Sequence, residues 1–461
     1  MDILNQLDLG YEGFSRANEE TLDYLSKALS AGSGVDAAAF TGGRALIPES
    51  LDSTLVNVLH SQEDAVLFQR LKKQPIKSPV HQWDKRTDVG ANDGAWVAEG
   101  GDSIEGEQTI ARAYATAKYL QTLRKVTLQA SVSNMIEDAM ALEKNAGALW
   151  IIRNLEKALF YGDSSIVAEQ PDGLIAQIPS TNVLDLRGKD ATSADFVNKI
   201  ELGARNIRES FGKVTDLFCS TMVMADVQRM LRDRIRFTPG SANAGSTVFE
   251  DYPTPFGTPK LRADIFIAEG STPSASSITA SRPGALTVNS VTHTTHASSE
   301  FASTDAGDYV YKLVGVNKYG DGTATAEQIV TGVAAGDRVI FNITNGSPAS
   351  TGIKIYRSIK GGVTGATVRY AFTTAAPATT GDVYDYNSNL PGCSDVFMLT
   401  MDPMYDAIEW AQFLPMMKFD LYPTNAAVYP FLMLLFGTMA VKKGVQHIRI
   451  KNVAPSTLGW F

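Results

Sequence analysis

Apolar residues change their spacing several times along this chain, and each change marks an element. From Ser133 to Asp163 the sequence reads SNMIEDAMALEKNAGALWIIRNLEKALFYGD. Ile136, Met140, Leu149, Ile152, Leu155 and Leu159 recur mostly at steps of three and four, the period of a helix with one buried face. Asn134 and Glu137 make a capping-box arrangement at its start, and Gly162 stops it. Such a helix would be roughly 40 Å long at about 1.5 Å per residue, against about a dozen residues for an average globular helix. It carries no catalytic or cofactor spacing and reads as a structural spine.

Helical spacing recurs elsewhere. Leu22, Leu25 and Leu29 give a short amphipathic helix inside an otherwise small and polar arm, residues 1–45. Ile47, Leu51, Leu55, Leu59, Val66 and Leu71 share a face over 47–73, and Pro75 and Pro79 turn the chain extended. Residues 168–178 read as a turn and a short strand. Ser193 caps a helix with Phe196, Ile200, Ala204, Ile207 and Phe211 on one face. After a short strand at Thr215–Cys219, Ser220 caps another with Val223, Val227, Leu231 and Ile235. Leu261–Ala268 returns as a strand. Strand and helix alternating in this way indicate an α+β or α/β unit.

Period-two spacing marks the rest. Residues 83–127 begin rich in Gly and Asp and then alternate small and polar residues with Tyr114, Tyr119, Leu120 and Val126. They predict one long two-stranded arm with a loop at its tip. A lone hairpin is marginal in water, so this arm needs a surface to lean on, and a neighbouring subunit is the expected one. Beyond residue 271 the style changes: between Pro273 and Ser299 the only charged residue is Arg282. Tyr309–Val316, Arg338–Ile343, Gly352–Arg357, Ala366–Thr373 and Asp382–Tyr386 are short strands separated by turn signals, the pattern of an all-β sandwich. From Val396 the earlier style resumes. VFMLTMDP is a strand, Met404–Phe413 a short helix, and Ala426–Val441 a buried strand pair. Val445–Val453 follows the turn Lys442-Lys443-Gly444. The sandwich is therefore an insertion into a host domain.

Composition narrows the function. The 461 residues are 44% hydrophobic and 20% charged, with a net charge of −9; a protein whose main task is gripping nucleic acid usually has a basic balance. The start, MDILNQLDLGYEGF, has neither the basic end nor the apolar run of a secretory signal. Ala426–Val441 is too short for a membrane helix and contains Pro430 and Gly437. Cys219 and Cys393 give no disulfide framework and read as small core residues.

Catalytic, cofactor-binding and metal residues are all expected to be none. No phosphate-binding loop, dinucleotide fingerprint, nucleophile elbow or zinc-protease motif is present. His60, His81 and His447 stand alone. His293 and His296 have a metal-like spacing but lack a third ligand. Asp385, Asn387 and Asn389 start like a calcium loop, yet Leu390 and Val396 stand where Gly and Glu are required. Arg229, Arg232, Arg234 and Arg236 crowd one helix end, a solvated or subunit-facing surface with a polyanion contact as the alternative.

The order of parts resembles the major capsid proteins of tailed phages, whose fold is named after phage HK97. Trp96-Val97-Ala98-Glu99-Gly100-Gly101 opens the hairpin like that family's extended loop. Ala158-Leu159-Phe160-Tyr161-Gly162-Asp163 followed by Pro171-Asp172-Gly173-Leu174 is similar to its helix exit, residues 193–268 to its axial domain, and His447–Val453 to its closing strand. The inserted part resembles a fibronectin type III or bacterial immunoglobulin-like module, through Tyr311–Asn317, Ile353–Ser358 and Val383-Tyr384-Asp385.

The resemblance implies an α+β fold of the HK97 kind. Its parts are an N-terminal arm (1–45), a first helix region (46–82), an extended hairpin loop (83–129) and a peripheral domain with the spine helix (130–190). An axial domain (191–270), an inserted immunoglobulin-like sandwich (271–395), a return to the axial domain (396–424) and peripheral-domain strands (425–461) complete it. It further implies a non-enzymatic protein without cofactors that self-assembles as hexamers and pentamers into an icosahedral shell. That shell would be built in the host cytoplasm around double-stranded DNA, held without sequence specificity. Portal, scaffolding and decoration proteins are further expected partners, and a membrane is not. The short arm leads us to expect no cleaved propeptide. Lys118 and Asn452 are a conceivable cross-linking pair, although nothing in the sequence supplies the assisting acid. Two other readings share some of these features: an encapsulin-like compartment of a cell, and a surface adhesin or carbohydrate-binding protein centred on the sandwich.

Overall fold

The computed structural model describes residues 64–90, 96–102, 106–132, 138–233, 249–274, 281–362, 367–423 and 426–456. The expected arm at 1–45, residues 47–63 of the expected 47–73 helix, and Asn134 and Glu137 fall outside them. Strands dominate an otherwise mixed α+β chain.

In chain order, helix α1 (Val66–Arg70) leads into β1 (Lys73–Pro75), β2 (Val80–Asp88), β3 (Thr109–Thr116) and β4 (Lys118–Thr127). Helix α2 (Leu128–Val132) follows, then the spine helix α3 (Ala139–Tyr161) and α4 (Leu174–Gln177). Asp138 caps α3, its side chain accepting from the Met140 N–H at 3.1 Å. The segment 168–178 thus ends in a short helix, not a strand, because its start at Gly173 folds against the end of α3: the Gly173 N–H donates to Gly162 O at 2.8 Å. A Cβ at Gly173 would lie 2.6 Å from Ala158 O, so the crossing is open only to glycine.

β5 (Val183–Asp185), α5 (Ala194–Glu209), β6 (Asp216–Cys219), α6 (Thr221–Asp233) and β7 (Lys260–Ala263) come next. Ser193 caps α5 as its sequence requires, accepting from the Phe196 N–H at 3.3 Å. Phe196, Ile200, Ala204 and Ile207 are buried. Phe211, expected on the same face, lies beyond the helix end with φ +59° and is exposed.

The chain then builds β8 (Thr287–Thr295), β9 (Gly307–Asn317), β10 (Gly320–Ala324), β11 (Gln328–Val333) and β12 (Asp337–Thr344). β13 (Gly352–Arg357), β14 (Arg369–Ala375) and β15 (Thr380–Asp385) complete two sheets. One runs β10-β9-β13-β14, with β11 also on β9, and the other β15-β12-β8. They share one core: Tyr311, Leu313, Ile353 and Ile355 meet Val339, Phe341, Ile343 and Val383. β8, β10 and β11 had no counterpart in the sequence reading, since Thr/Ser-rich or Gly-rich strands lack the apolar alternation that marks the others.

Finally β16 (Ser394–Leu399), β17 (Ile408–Asp420), β18 (Val428–Val441) and β19 (Ile448–Val453) close the molecule. The order β5-β19-β16-β6-β7 is a five-stranded sheet covered on both faces. Val396 and Met398 pack with the α5 and α6 core, while Phe397 and Leu399 join the core under α3. This explains the apolar runs LFC (217–219) and VFML (396–399): a strand buried on both sides has no polar face to alternate. Phe160 of α3 sits 5.4 Å from the Phe397 ring and 6.3 Å from that of Phe218.

Two expectations fail in the second sheet, ordered β1-β17-β18-β4. Met404–Phe413 is not a helix; its second half enters β17, where Lys73–Pro75 pairs with Trp410–Gln412 in parallel and β18 pairs on the other edge. Ala426–Val441 is not a strand pair but holds one long strand, bonded to β17 and to β4 over its length. Tertiary pairing on both edges overrides the helical spacing of the short 404–413 window. Ile151, Leu155 and Leu159 of α3 lie in one core with Val126, Phe431, Met433 and Leu435. Gly147 brings the helix close, since a Cβ there would be 3.1 Å from the Met433 side chain.

Candidate assembly surface

The predicted arm at 83–127 divides in two. β2 and β3 pair antiparallel from Val80↔Thr116 to Asp88↔Thr109 and form a two-stranded ribbon. At the buried Ala117 the chain leaves the ribbon, and Lys118–Thr127 becomes an edge strand of the β17–β18 sheet instead. The ribbon's root is fixed by Ala117 N–H to Pro79 O at 2.7 Å and by His81 Nε2 against Glu409 Oε1 at 3.1 Å. Glu409 is buried and also meets Lys442 Nζ at 2.9 Å.

Away from the root the ribbon has almost no covering. All but two residues of β3 are exposed, and Val89, Trp96, Val97, Ile110 and Tyr114 stand open, Trp96 at 95%. A second apolar surface lies on the β17–β18–β4 sheet. Its inner face packs on α3. Its outer face carries exposed Tyr119, Leu123, Met417 and Phe419, in register with Phe436, Leu432 and Leu434. Tyr119 and Phe436 meet edge to face at 4.8 Å. A row of large apolar side chains on an open sheet face marks a contact surface.

A third set of contacts seats the β8–β15 sheets against the strand layer beneath them. Arg187, with φ +51°, reaches Glu300 O at 2.7 Å, Asn387 O at 2.8 Å and the carboxylates of Glu300 and Asp305 at 3.2 Å each. Lys318 pairs with Glu169 at 3.2 Å, and Lys451 Nζ donates to Ser388 O at 2.7 Å. None of these partners carries a sequence signal, because they meet across long separations.

The residues singled out for chemistry are spread apart. His293 Nδ1 bonds Asp337 Oδ2 at 2.8 Å, whereas His296 accepts from the Ser298 N–H and leans on Tyr386. Asp385 is buried and bonded to Arg357, and Asn387 to Arg357 Nη2 at 2.6 Å, so both are spent on an internal ion pair. Among the described residues no group of three His, Cys, Asp or Glu could hold a metal ion, and no helix is long and apolar enough to cross a membrane. Burial pushes the Cys219 thiol up to about 12 and raises that of Cys393 as well, which leaves neither a ready nucleophile. Arg229 bridges Asp226 at 3.3 Å and Ser456 Oγ at 3.1 Å; Arg234 and Arg236 lie outside the described residues. Lys118 Nζ donates to Ala168 O, while Asn452 is buried, its amide N–H groups donating to Asp185 and Ser388 and its oxygen accepting from the Leu390 N–H. An amide so fully engaged is not offered to a neighbouring lysine.

Relatives match this chain over nearly their whole length. The chain is 24% identical to the major capsid protein of Staphylococcus phage K over 450 residues, covering 93% of this chain and 94% of that protein. The major capsid protein of Staphylococcus phage S25-3 gives the same identity over 448 residues, with the same coverage. Among solved structures, the capsid of a native GTA particle aligns over 92% of this chain and 100% of that one, at 10% identity and a TM-score of 0.47. The family model for the SU10 major capsid protein matches residues 31–316, more than half of the sequence. The chain therefore belongs to the SU10 major capsid protein family, structural proteins of the phage virion shell and not enzymes.

Proposed function

We propose that many copies of this chain tile an icosahedral head as hexamers and pentamers around double-stranded DNA, with the fold in its HK97-like form. The observation that carries this is the ribbon β2–β3. Two strands without a third, exposed on all but two residues of β3 and carrying an open Trp96 beyond β2, are marginal alone. Draped over an adjacent subunit, they gain the apolar partner they lack. The outer face of β4, β17 and β18 is the kind of surface that could receive such a partner. An interface of this sort needs about 1,000 Å² or more to persist.

In this reading residues 130–190 and 425–461 make the peripheral domain and 191–270 with 396–424 the axial one. The 271–395 module is immunoglobulin- or fibronectin-like and projects outward, free for host-surface or decoration contacts. Its two-sheet architecture is consistent with that, although sandwich architecture alone fixes no ligand. The N-terminal arm reaches a further neighbour. Portal, scaffolding and decoration proteins are further partners in this reading.

Expression of residues 1–461 alone, followed by electron microscopy and sedimentation, tests the reading. Closed shells or hexamer-sized rings are expected. Persistent monomers across salt conditions and with scaffold present would overturn it. Nucleic acid inside purified shells supports the phage head; a protein cargo would favour an encapsulin-like compartment. Deleting 273–394 should leave assembly intact, whereas an adhesin would lose its function.

A further inference from the structure

Glu156 lies on the inner side of α3 with no exposed surface. Two backbone donors in the first turn of α1 aim at its carboxyl, Leu67 N–H at 2.6 Å and Phe68 N–H at 3.1 Å. Facing it is Asp264, which follows β7 and is 1% exposed. One Asp264 oxygen accepts from the Phe266 N–H at 2.8 Å. The other, Oδ2, is buried and has no hydrogen-bond partner; the Glu156 carboxyl, with the Leu67 N–H that donates to it, lies against Asp264.

Among the described residues no basic side chain acts on the two. The further charge turned toward them is Asp64, ahead of α1, another acid. Arg262, two residues before Asp264, is committed to Asp216 at 2.5 Å, as is Arg70 at 3.4 Å. Lys157, next to Glu156 on α3, has Arg153, Lys354 and Asp321 as its charged neighbours. Tyr161, a turn further on, accepts the Ala268 N–H at 2.9 Å. Two buried carboxyls in contact without a cation cannot both ionise. If one keeps its proton, its O–H supplies the donor that Asp264 Oδ2 otherwise lacks.

We infer that Glu156 and Asp264 hold one proton between them, and that this proton latches the start of α1 and the turn after β7 to the spine helix. With the proton in place, three segments distant in sequence are joined at one point. Without it, two like charges face each other inside the core, and the segment that gives way is the short one, residues 64–72, from which the chain runs into β1 and the ribbon. Burial first, and the neighbouring carboxylate second, raise Glu156 well above the usual carboxylate range; burial raises Asp264 too. The folded state thus keeps a proton that the opened state gives up, so the latch is closed at low pH and loosens as pH rises.

Infrared spectroscopy and hydrogen exchange on the full-length protein test this. A protonated carboxylic acid carbonyl band should be present at pH 7 and lost in both Glu156→Gln and Asp264→Asn. In the unmodified chain, exchange protection across 64–72, corrected for the intrinsic rate, should fall about tenfold per pH unit above pH 5, one proton per opening. In Glu156→Gln, where the amide supplies a permanent donor, protection should stay flat. Absence of the acid band at pH 7, or an unchanged pH slope in either variant, overturns the inference. Should neither variant fold, the band and the slope of the unmodified chain still decide it, since lack of either refutes the shared proton.

Discussion

Replacing Asp385 is the sharpest energetic test of how the β8–β15 sheets are held. Arg357 and Asp385 are 1% and 0% exposed in their side chains and meet at 2.7 Å. The Tyr311 hydroxyl donates to the same carboxylate at 3.1 Å, and Arg357 Nη2 reaches Asn387 Oδ1 at 2.6 Å. The guanidinium lies over Phe301 and Tyr309, 5.4 and 5.3 Å from their centroids. Asp385→Ala leaves that cation buried with no counter-charge and the Tyr311 hydroxyl without its acceptor. Breaking one side of a buried pair costs about 3–5 kcal/mol. Spread over a local opening, that is roughly two to four orders of magnitude in hydrogen-exchange protection for β9, β13 and β15, at about 1.4 kcal/mol per factor of ten. Exchange suits the question better than a melting curve, because a multi-part chain need not unfold in one step. Asp385→Asn should recover little, since the missing quantity is charge. The double change Arg357→Met with Asp385→Leu should cost less than Asp385→Ala alone, because it removes the stranded cation together with its partner. A loss below about 1 kcal/mol in Asp385→Ala, or a double variant as damaged as the single one, would refute the reasoning.

Other consequences are equally open to measurement. His447 is fully buried and its imidazole is held down to about 4 by that burial. The unfolded chain therefore binds the proton first, the His447 contribution is complete above about pH 6.5, and about 3 kcal/mol of it is lost as pH falls toward 4, opposite in sign to the Glu156–Asp264 proton; between pH 7 and 4.5 the denaturant midpoint of His447→Gln should gain on that of the unmodified chain. Gly437→Ala would put a Cβ 2.5 Å from the Trp410 ring and 2.7 Å from Ala411 O. Overpacking of that kind costs about 1–3 kcal/mol, read as a lower midpoint and a shifted Trp410 emission. Trp96→Ser should change subunit stability by less than about 0.5 kcal/mol, since exposed sites contribute little, yet slow or abolish shell formation in light scattering; normal assembly would remove the ribbon from the interface.

The sequence by itself determined most of what is local. Ser193 and the i, i+3, i+4 spacing of Phe196, Ile200 and Ile207 specify α5 without help from elsewhere, because cap and stripe lie within one segment. The composition of Tyr309–Val316 and Gly352–Arg357 likewise specifies strands, which the structure buries on both faces. The soft patterns at Trp96, at the exit of α3 and at the last strand pointed to the capsid family that the matching family model then identified. The candidate contact surface was partly legible too, as an arm with too little apolar matter to stand alone.

Tertiary structure decided everything that depends on partners far along the chain. The helical spacing of 404–413 gave way to β17 because β1 and β18 offer hydrogen bonds on both edges. The arm at 83–127 split at Ala117, since β18 captures its second half. Asn387, in a calcium-like start that lacks the required Gly and Glu, is a partner of Arg357; Arg187, which no pattern marked, bonds Glu300 and Asn387 at the base of the β8–β15 sheets. Glu156 read as one more polar position on a long helix, and only folding placed it against Asp264. Propensity and periodicity act over a few residues, whereas an ion pair, a sheet register or a shared proton is set by whichever distant group the fold brings within about 3 Å.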